Sequence, residues 1–187
     1  MKLVVLKFGG TSVADVPQIK KIALKVKEEV NHGNKVIAVV SAMSGVTNNL
    51  IDLVKTTSET PSYSEYDVVL STGEQVTSAL LATVLNNLNI KARSWLGWQV
   101  PIISDKSHGN AVIEEIKTEN ILESLKKDQV AIISGFQGIT KENRITTLGR
   151  GGSDTSAVAI AAAFSAMRCD IYTDVDGVYT TDPRIVK

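Results

Sequence analysis

The sequence predicts an α/β protein built on a mostly parallel sheet. The apolar runs at 2–7, 35–40 and 129–134 lack the alternation of a half-exposed strand. They read as strands buried on both faces, as parallel sheets require. The first run passes at once into Phe8-Gly9-Gly10-Thr11-Ser12, a glycine turn, and then into apolar residues at helical spacing. Strand, glycine turn and helix make half of a βαβ unit. Residues 147–155 then place Gly149, Gly151 and Gly152 directly before the alanine-rich stretch 157–163. Alanine is the best helix former, so this is a glycine loop feeding a helix that starts near Ser153 or Asp154.

The elements follow in order. Asp15 caps a helix carrying Val16, Ile19, Ile22, Val26 and Val30 at helical spacing, and Gly33 ends it. The strand at 35–40 runs into the small, hydroxyl-rich segment 41–47. Ligands of open α/β sheets sit off the carboxyl ends of strands, so the loops after both strands point to one rim. A short helix spans 48–55, a polar loop with Pro61 spans 56–64, and a long apolar helix spans 65–88. That helix carries Ser71, Glu74, Gln75 and Ser78 as a polar stripe. Such a stripe is either a solvated face or a functional one. No Lys or Arg lies between Lys55 and Lys91, so Glu74 is locally unpaired and suits a cationic ligand.

A strand at 91–95, a turn, an extended stretch at 100–104 and a short extended piece at 112–116 come next. Trp95 and Trp98 read as packing residues. His108 lies in a polar turn without a motif partner and reads as a surface or loop residue. Thr118 caps a helix to Leu125, and a short strand at 144–146 precedes the second glycine loop. The last strand spans 167–173, and Asp176-Gly177 centres a hairpin turn. Asp174 and Asp176 lack the rest of a calcium loop.

Composition narrows the function classes. The chain has 187 residues, 43 % hydrophobic and 21 % charged, a size and balance suited to one large domain with a real core. Its 20 basic and 20 acidic residues cancel without long runs, which argues against nucleic-acid binding. The single cysteine, Cys169, has no internal disulfide partner, and no Cys/His spacing suits zinc. No apolar run is expected to span a membrane, and the chain opens as a strand rather than a signal peptide. The expected location is the cytoplasm.

Both glycine loops suit anions. A helix start leaves unpaired N–H groups and a partial positive charge, and Arg150 adds a cation shaped for carboxylate or phosphate. Neither loop fits a P-loop, whose lysine follows its glycines, and neither reads G-x-G-x-x-G. Lys7 precedes its loop: it either leans over the loop to bridge β- and γ-phosphates or is a strand-end surface lysine. Asp154 is placed to orient a lysine or to help hold a metal ion. These residue types suit phosphoryl transfer, which needs mostly positioning and charge neutralisation.

The segments 7–12, 40–47, 71–74, 147–154 and 173–184 together resemble the aspartate kinases (aspartokinases) of the amino acid kinase family. The likeness runs from residue 2 to 187. It implies a three-layer αβα sandwich around a mostly parallel sheet. It also implies that ATP and L-aspartate, with Mg2+, give ADP and 4-phospho-L-aspartate, the entry to lysine, threonine and methionine. By the same resemblance Lys7 is the catalytic lysine, with Gly9 and Gly10 donating N–H groups to phosphate. Ser41, Thr47, Glu74 and Arg150 form the aspartate pocket, Arg150 on a carboxylate and Glu74 on the ammonium. Ser153 lies near the ATP–substrate junction and Asp154 is the catalytic aspartate. Thr173, Asp174, Tyr179, Asp182 and Arg184 form the nucleotide-binding segment. The resemblance assigns no residue as a metal ligand.

Relatives of this kind continue beyond the point matching Lys187, through another lysine near the phosphates and usually into regulatory ACT domains. The expectation is therefore one kinase domain over 1–187, incomplete at its C-terminus and without an ACT domain. Missing strands would expose a sheet edge, and the missing half would leave surface that can form a homodimer. The alternative to a catalytic domain is a non-catalytic remnant that keeps the fold and binds a ligand or partner chain. A sister kinase for another carboxylate, a carbamate or a nucleotide fits Ser41, Thr47, Glu74 and Arg150 less well.

Overall fold

The computed structural model describes residues 2–173. In chain order the elements are β1 (Leu3–Phe8), α1 (Val16–Asn31), β2 (Lys35–Val40), α2 (Val46–Thr57) and α3 (Tyr63–Asn87). There follow β3 (Ala92–Trp95), β4 (Ile102–Ser104), β5 (Ile113–Ile116), α4 (Glu119–Lys126) and β6 (Val130–Ser134). The last are β7 (Gln137–Ile139), β8 (Ile145–Thr147), α5 (Gly152–Ala163) and β9 (Arg168–Tyr172).

The apolar runs become a 5-stranded sheet in the order β3-β6-β2-β1-β9, with every pairing parallel. Alternation along the strands divides the core. Val4, Leu6 and Phe8 face α1 and α3 with Val36, Ala38, Val40 and Ile132, against Ile19, Ile22, Val26, Leu81 and Leu85. Leu3, Val5, Ile37, Val39, Ala131 and Ile133 face α4 and α5, against Ile121, Leu125, Ala157 and Ile160. Burying each such side chain contributes roughly 1.5–3 kcal/mol before conformational entropy is set against it. Helices thus cover both faces, giving the expected three αβα layers.

Strand parity also decides where Lys7 points. Side chains at positions i and i+2 share a face, so Lys7 follows Leu3 and Val5 toward α5. The helix after β1 lies on one face of the sheet and the helix before β9 on the other. The carboxyl end of β1 is therefore a switch point where a crevice opens.

A second sheet was not foreseen. Its order is β5-β4-β7-β8, with β4 antiparallel to β5, parallel to β7, and β7 antiparallel to β8. Ser104 and Thr146 share a buried 2.6 Å hydroxyl contact across it. This sheet carries residues 147–152 to the rim of the first.

Four further differences have physical reasons. Gly45 and Gly151, at φ +78° and +73°, start α2 and α5 directly after a left-handed residue, earlier than expected and without side-chain caps. Val100 belongs to a tight turn, its N–H donating to the Leu96 carbonyl at 3.1 Å, so β4 begins later. Trp95 is buried beneath Arg93, whose guanidinium lies 3.8 Å from the ring centroid, but Trp98 is exposed. Finally, α3 is long and apolar enough by length and composition to cross a membrane, contrary to expectation. Its buried face packs Leu81 and Leu85 into the core, the character of a central helix of a folded protein.

Candidate active site

Lys7, Gly9, Gly10, Ser41, Thr47, Glu74, Arg150, Ser153, Asp154 and Thr173 line one cleft of about 460 Å³ at the carboxyl end of β1. Their segments lie far apart in sequence and meet because β1 and β2 are neighbours and α5 crosses the adjoining face. Asp174, Tyr179, Asp182 and Arg184 lie outside the described residues.

Lys7 is buried, and its Nζ lies 2.6 Å from Asp154 Oδ1. The contact is an ion pair whose angles fall outside hydrogen-bond alignment, since that oxygen has no hydrogen-bond partner among the described residues. Asp154 sits in the first turn of α5, where the helix dipole favours a negative charge. Lys7 is thus no stray surface lysine: its position is set from the strand below and the helix beside it.

The floor is glycine for steric reasons. A Cβ on Gly9 would lie 3.3 Å from Lys7 Nζ, and one on Gly10 3.3 Å from the Ala42 carbonyl oxygen. Gly9 N–H already donates to the Tyr172 carbonyl at 3.1 Å. The Gly9 N–H is thus engaged within the protein itself. Gly10 N–H has no partner among the described residues and remains available. Two helix N-termini, those of α2 and α5, border the cleft through Gly45, Thr47, Gly151, Gly152 and Ser153. Their free N–H groups make this region attractive to anions.

Also lining the cleft, Glu74 is 3 % exposed. Its Oε1 accepts from Ala42 N–H at 3.0 Å, and among the described residues Oε2 has no partner. Burial pushes its carboxyl up to about 7, against the smaller lowering effect of backbone N–H donors. Arg150 is exposed on the loop above and forms no ion pair among the described residues. An unfilled acid and an unfilled cation facing one cavity suit a small zwitterion.

Other residues here escaped sequence reasoning. Phe136 lines the cleft at φ +65°, an unusual conformation for an aromatic residue, with its N–H donating to Ser156 Oγ at 3.0 Å. A Cβ on Gly152 would meet its ring at 2.8 Å, so Phe136 wedges the start of α5. The Gly135 and Gly138 flanking it were the available signal. His108 lies in a turn, as expected, but it is half-buried and its Nδ1 lies 2.8 Å from Oδ2 of the buried Asp67. The lack of Lys and Arg across α3 applies to Asp67 as it does to Glu74, though also to Glu65, which is exposed and pairs with Arg144.

The family model described as the amino acid kinase family matches residues 2–187. The chain belongs to this family. It is 54 % identical to the aspartokinase of Rickettsia felis over all of this chain and 47 % of that protein. It is equally 54 % identical to the aspartokinase of Geobacillus stearothermophilus, covering 46 % of it. This member of the family therefore spans about half the length of the curated relatives it matches. A crystal structure of aspartate kinase from Synechocystis superposes with a TM-score of 0.83 at 48 % identity, over 98 % of this chain and 30 % of that one. E. coli aspartokinase III in complex with aspartate and ADP superposes with a TM-score of 0.84 at 28 % identity, over 99 % of this chain and 52 % of that one.

Proposed function

We propose that this chain carries the catalytic centre of an aspartate kinase, transferring the γ-phosphoryl group of ATP to the side-chain carboxylate of L-aspartate. The products are ADP and 4-phospho-L-aspartate, the entry step toward lysine, threonine and methionine. The observation that carries the reading is the placement of the Lys7–Asp154 pair, Arg150 and Glu74 around one cleft. The identity to aspartokinases, and a fold neighbour holding aspartate and ADP, support the choice of substrates.

In this reading ATP lays its phosphates over Gly9 and Gly10, with the Gly10 N–H and the α5 N-terminus as donors. Lys7 neutralises charge that builds on the transferred group. Arg150 grips a carboxylate of aspartate and the Glu74 carboxylate accepts from its ammonium. Ser41 and Thr47 offer hydroxyls to the same substrate, and Ser153 lies at its junction with ATP. Thr173 begins the nucleotide-binding segment. Mg2+ bound with ATP would neutralise phosphate charge. Among the described residues no three His, Cys, Asp or Glu side chains gather to hold a metal, so phosphate oxygens would be its main ligands, with Asp154 the nearest carboxylate to Lys7. The cytoplasm and a homodimer belong to the same proposal.

The nucleophile is itself a carboxylate, with a reference pKa of about 3.9, and is ionised at neutral pH. No base is needed to activate it. Asp154 therefore acts as an organiser of Lys7 or of the metal, not as a proton acceptor. Asp154→Asn should lower turnover, and raising the pH should not restore it. The whole reading is tested by an ADP-release assay with L-aspartate. Aspartate-dependent turnover supports it; folded chain that neither binds ATP nor turns over aspartate sinks it.

A further inference from the structure

We propose that buried Asp67, with His108 and Thr147, is a positioning clamp that holds Arg150 ready for the acidic substrate. The proposal rests on the aspartate kinase reading, and it concerns residues that do not line the cleft. Asp67 is fully buried on α3. Its Oδ1 accepts from Thr147 Oγ1 at 2.5 Å and from Gly109 N–H at 3.1 Å. Its Oδ2 accepts from His108 Nδ1 at 2.8 Å and from Gly109 N–H at 3.1 Å. Facing a carboxylate, the His108 Nδ1 carries the proton. Donors on both oxygens call for a carboxylate; an amide would turn its own NH2 against one of them.

What the clamp holds is the base of the Arg150 loop. Thr147 ends β8, three residues before Arg150. The turn that His108 and Gly109 begin lies against that loop. Ala111 N–H donates to the Thr147 carbonyl at 3.0 Å, and Ala111 bridges to Leu148. Asn110 Oδ1 occupies the space beside Gly149, 2.0 Å from where a Cβ would stand. On the far side Leu148 N–H donates to the Phe136 carbonyl at 2.8 Å. The loop is thus fixed up to Gly149, and the exposed guanidinium of Arg150 swings from an anchored root. Anchoring matters because a long cationic side chain loses conformational freedom when it binds, and a fixed backbone reduces that loss.

The same helix face also carries the opposite grip. Asp67 and Glu74 are seven residues apart on α3, about 10 Å along the axis. Glu74 reaches the cleft directly, whereas Asp67 reaches it through Arg150. One rigid helix therefore sets the spacing between the site for the ammonium and the site for the carboxylate. That spacing favours one length of amino diacid.

The test uses the whole chain with His108→Ala, His108→Asn and Thr147→Val, read by calorimetric affinities for L-aspartate and ADP and by hydrogen exchange. His108→Ala and Thr147→Val should weaken L-aspartate binding about tenfold, since misplacing a substrate-orienting group by even 1 Å is costly. ADP affinity should stay within about twofold, and amides at 147–152 should exchange about tenfold faster than in the parent chain. His108→Asn places an amide N–H where Nδ1–H stood and should recover most of both losses. Equal losses for ADP and L-aspartate, no gain from His108→Asn, or unchanged exchange at 147–152 would each overturn the clamp. Should the parent chain bind no L-aspartate, the kinase reading falls, and hydrogen exchange alone decides the clamp.

Discussion

Asp67 and Glu74 lie on one face of one helix, and both are buried, at 0 % and 3 % exposure. Their surroundings differ. Asp67 is met by the donors of His108, Gly109 and Thr147. Among the described residues Glu74 is met by the Ala42 N–H, and its second oxygen has no partner. Burial alone therefore does not mark an acid that works on a ligand. An acceptor left empty at the wall of a cavity does, because a buried carboxylate lacking donors persists only where something else repays its desolvation. Asp67 spends its charge on the protein, and Glu74 keeps its charge for what enters the cleft.

The largest expected effect comes from emptying the satisfied site. Asp67→Ala should cost roughly 3–5 kcal/mol of stability, because the buried Thr147 donor and the half-buried donors of His108 and Gly109 all lose their acceptor. Urea unfolding reads this; a loss under about 1 kcal/mol would show that the contrast with Glu74 has no energetic content.

Glu74→Gln should move stability the other way. The Glu74 carboxyl is raised from 4.5 to about 7 in the folded protein. A raised acid binds its proton more tightly when folded than when unfolded. Its stabilising contribution is full below about pH 4.5 and is lost as the pH climbs through about 7. The glutamine variant has no such titration. It should match the parent near pH 4 and exceed it by up to about 3 kcal/mol at pH 8. It should also lose L-aspartate affinity, by about 100-fold for a charge-assisted contact in a dry site. In the parent chain L-aspartate should bind more tightly as pH rises through about 7, where Glu74 ionises. A variant that gains no stability at pH 8 would place Glu74 among satisfied acids like Asp67.

The sequence announced these two acids unequally. Glu74 stood out because no lysine or arginine accompanies it between Lys55 and Lys91. The same absence applies to Asp67, but its partners lie 41 to 80 residues away on elements that local patterns do not reveal. The parallel sheet was legible because each of its inner strands is a near-continuous apolar run, and the glycine loops because glycine permits few other readings. The second sheet was not, since β7 is only Gln137-Gly138-Ile139 and owes its existence to partners distant in sequence. The engagement of the Gly9 N–H was hidden for a similar reason. Its acceptor, the Tyr172 carbonyl, arrives with β9 at the far end of the chain.

The smallest effect tests how Glu74 is held in place. A Cβ on Gly73 would stand 2.8 Å from the Ala42 Cβ, closer than two methyl groups can approach. Glycine lets α3 press against the segment whose Ala42 N–H bonds Glu74. Gly73→Ala gains about 1 kcal/mol of helix propensity but overpacks the contact at roughly 1–3 kcal/mol, so a net loss near 1 kcal/mol is expected. It should also push Ala42 from Glu74 and weaken L-aspartate binding. Ala42→Gly removes the methyl that the new side chain strikes. In the double variant the loss should shrink, with a coupling energy of about 1 kcal/mol between the two sites. Strictly additive losses would mean that this contact does not set the position of Glu74. The contrast with Asp67 would then rest on the unfilled oxygen alone.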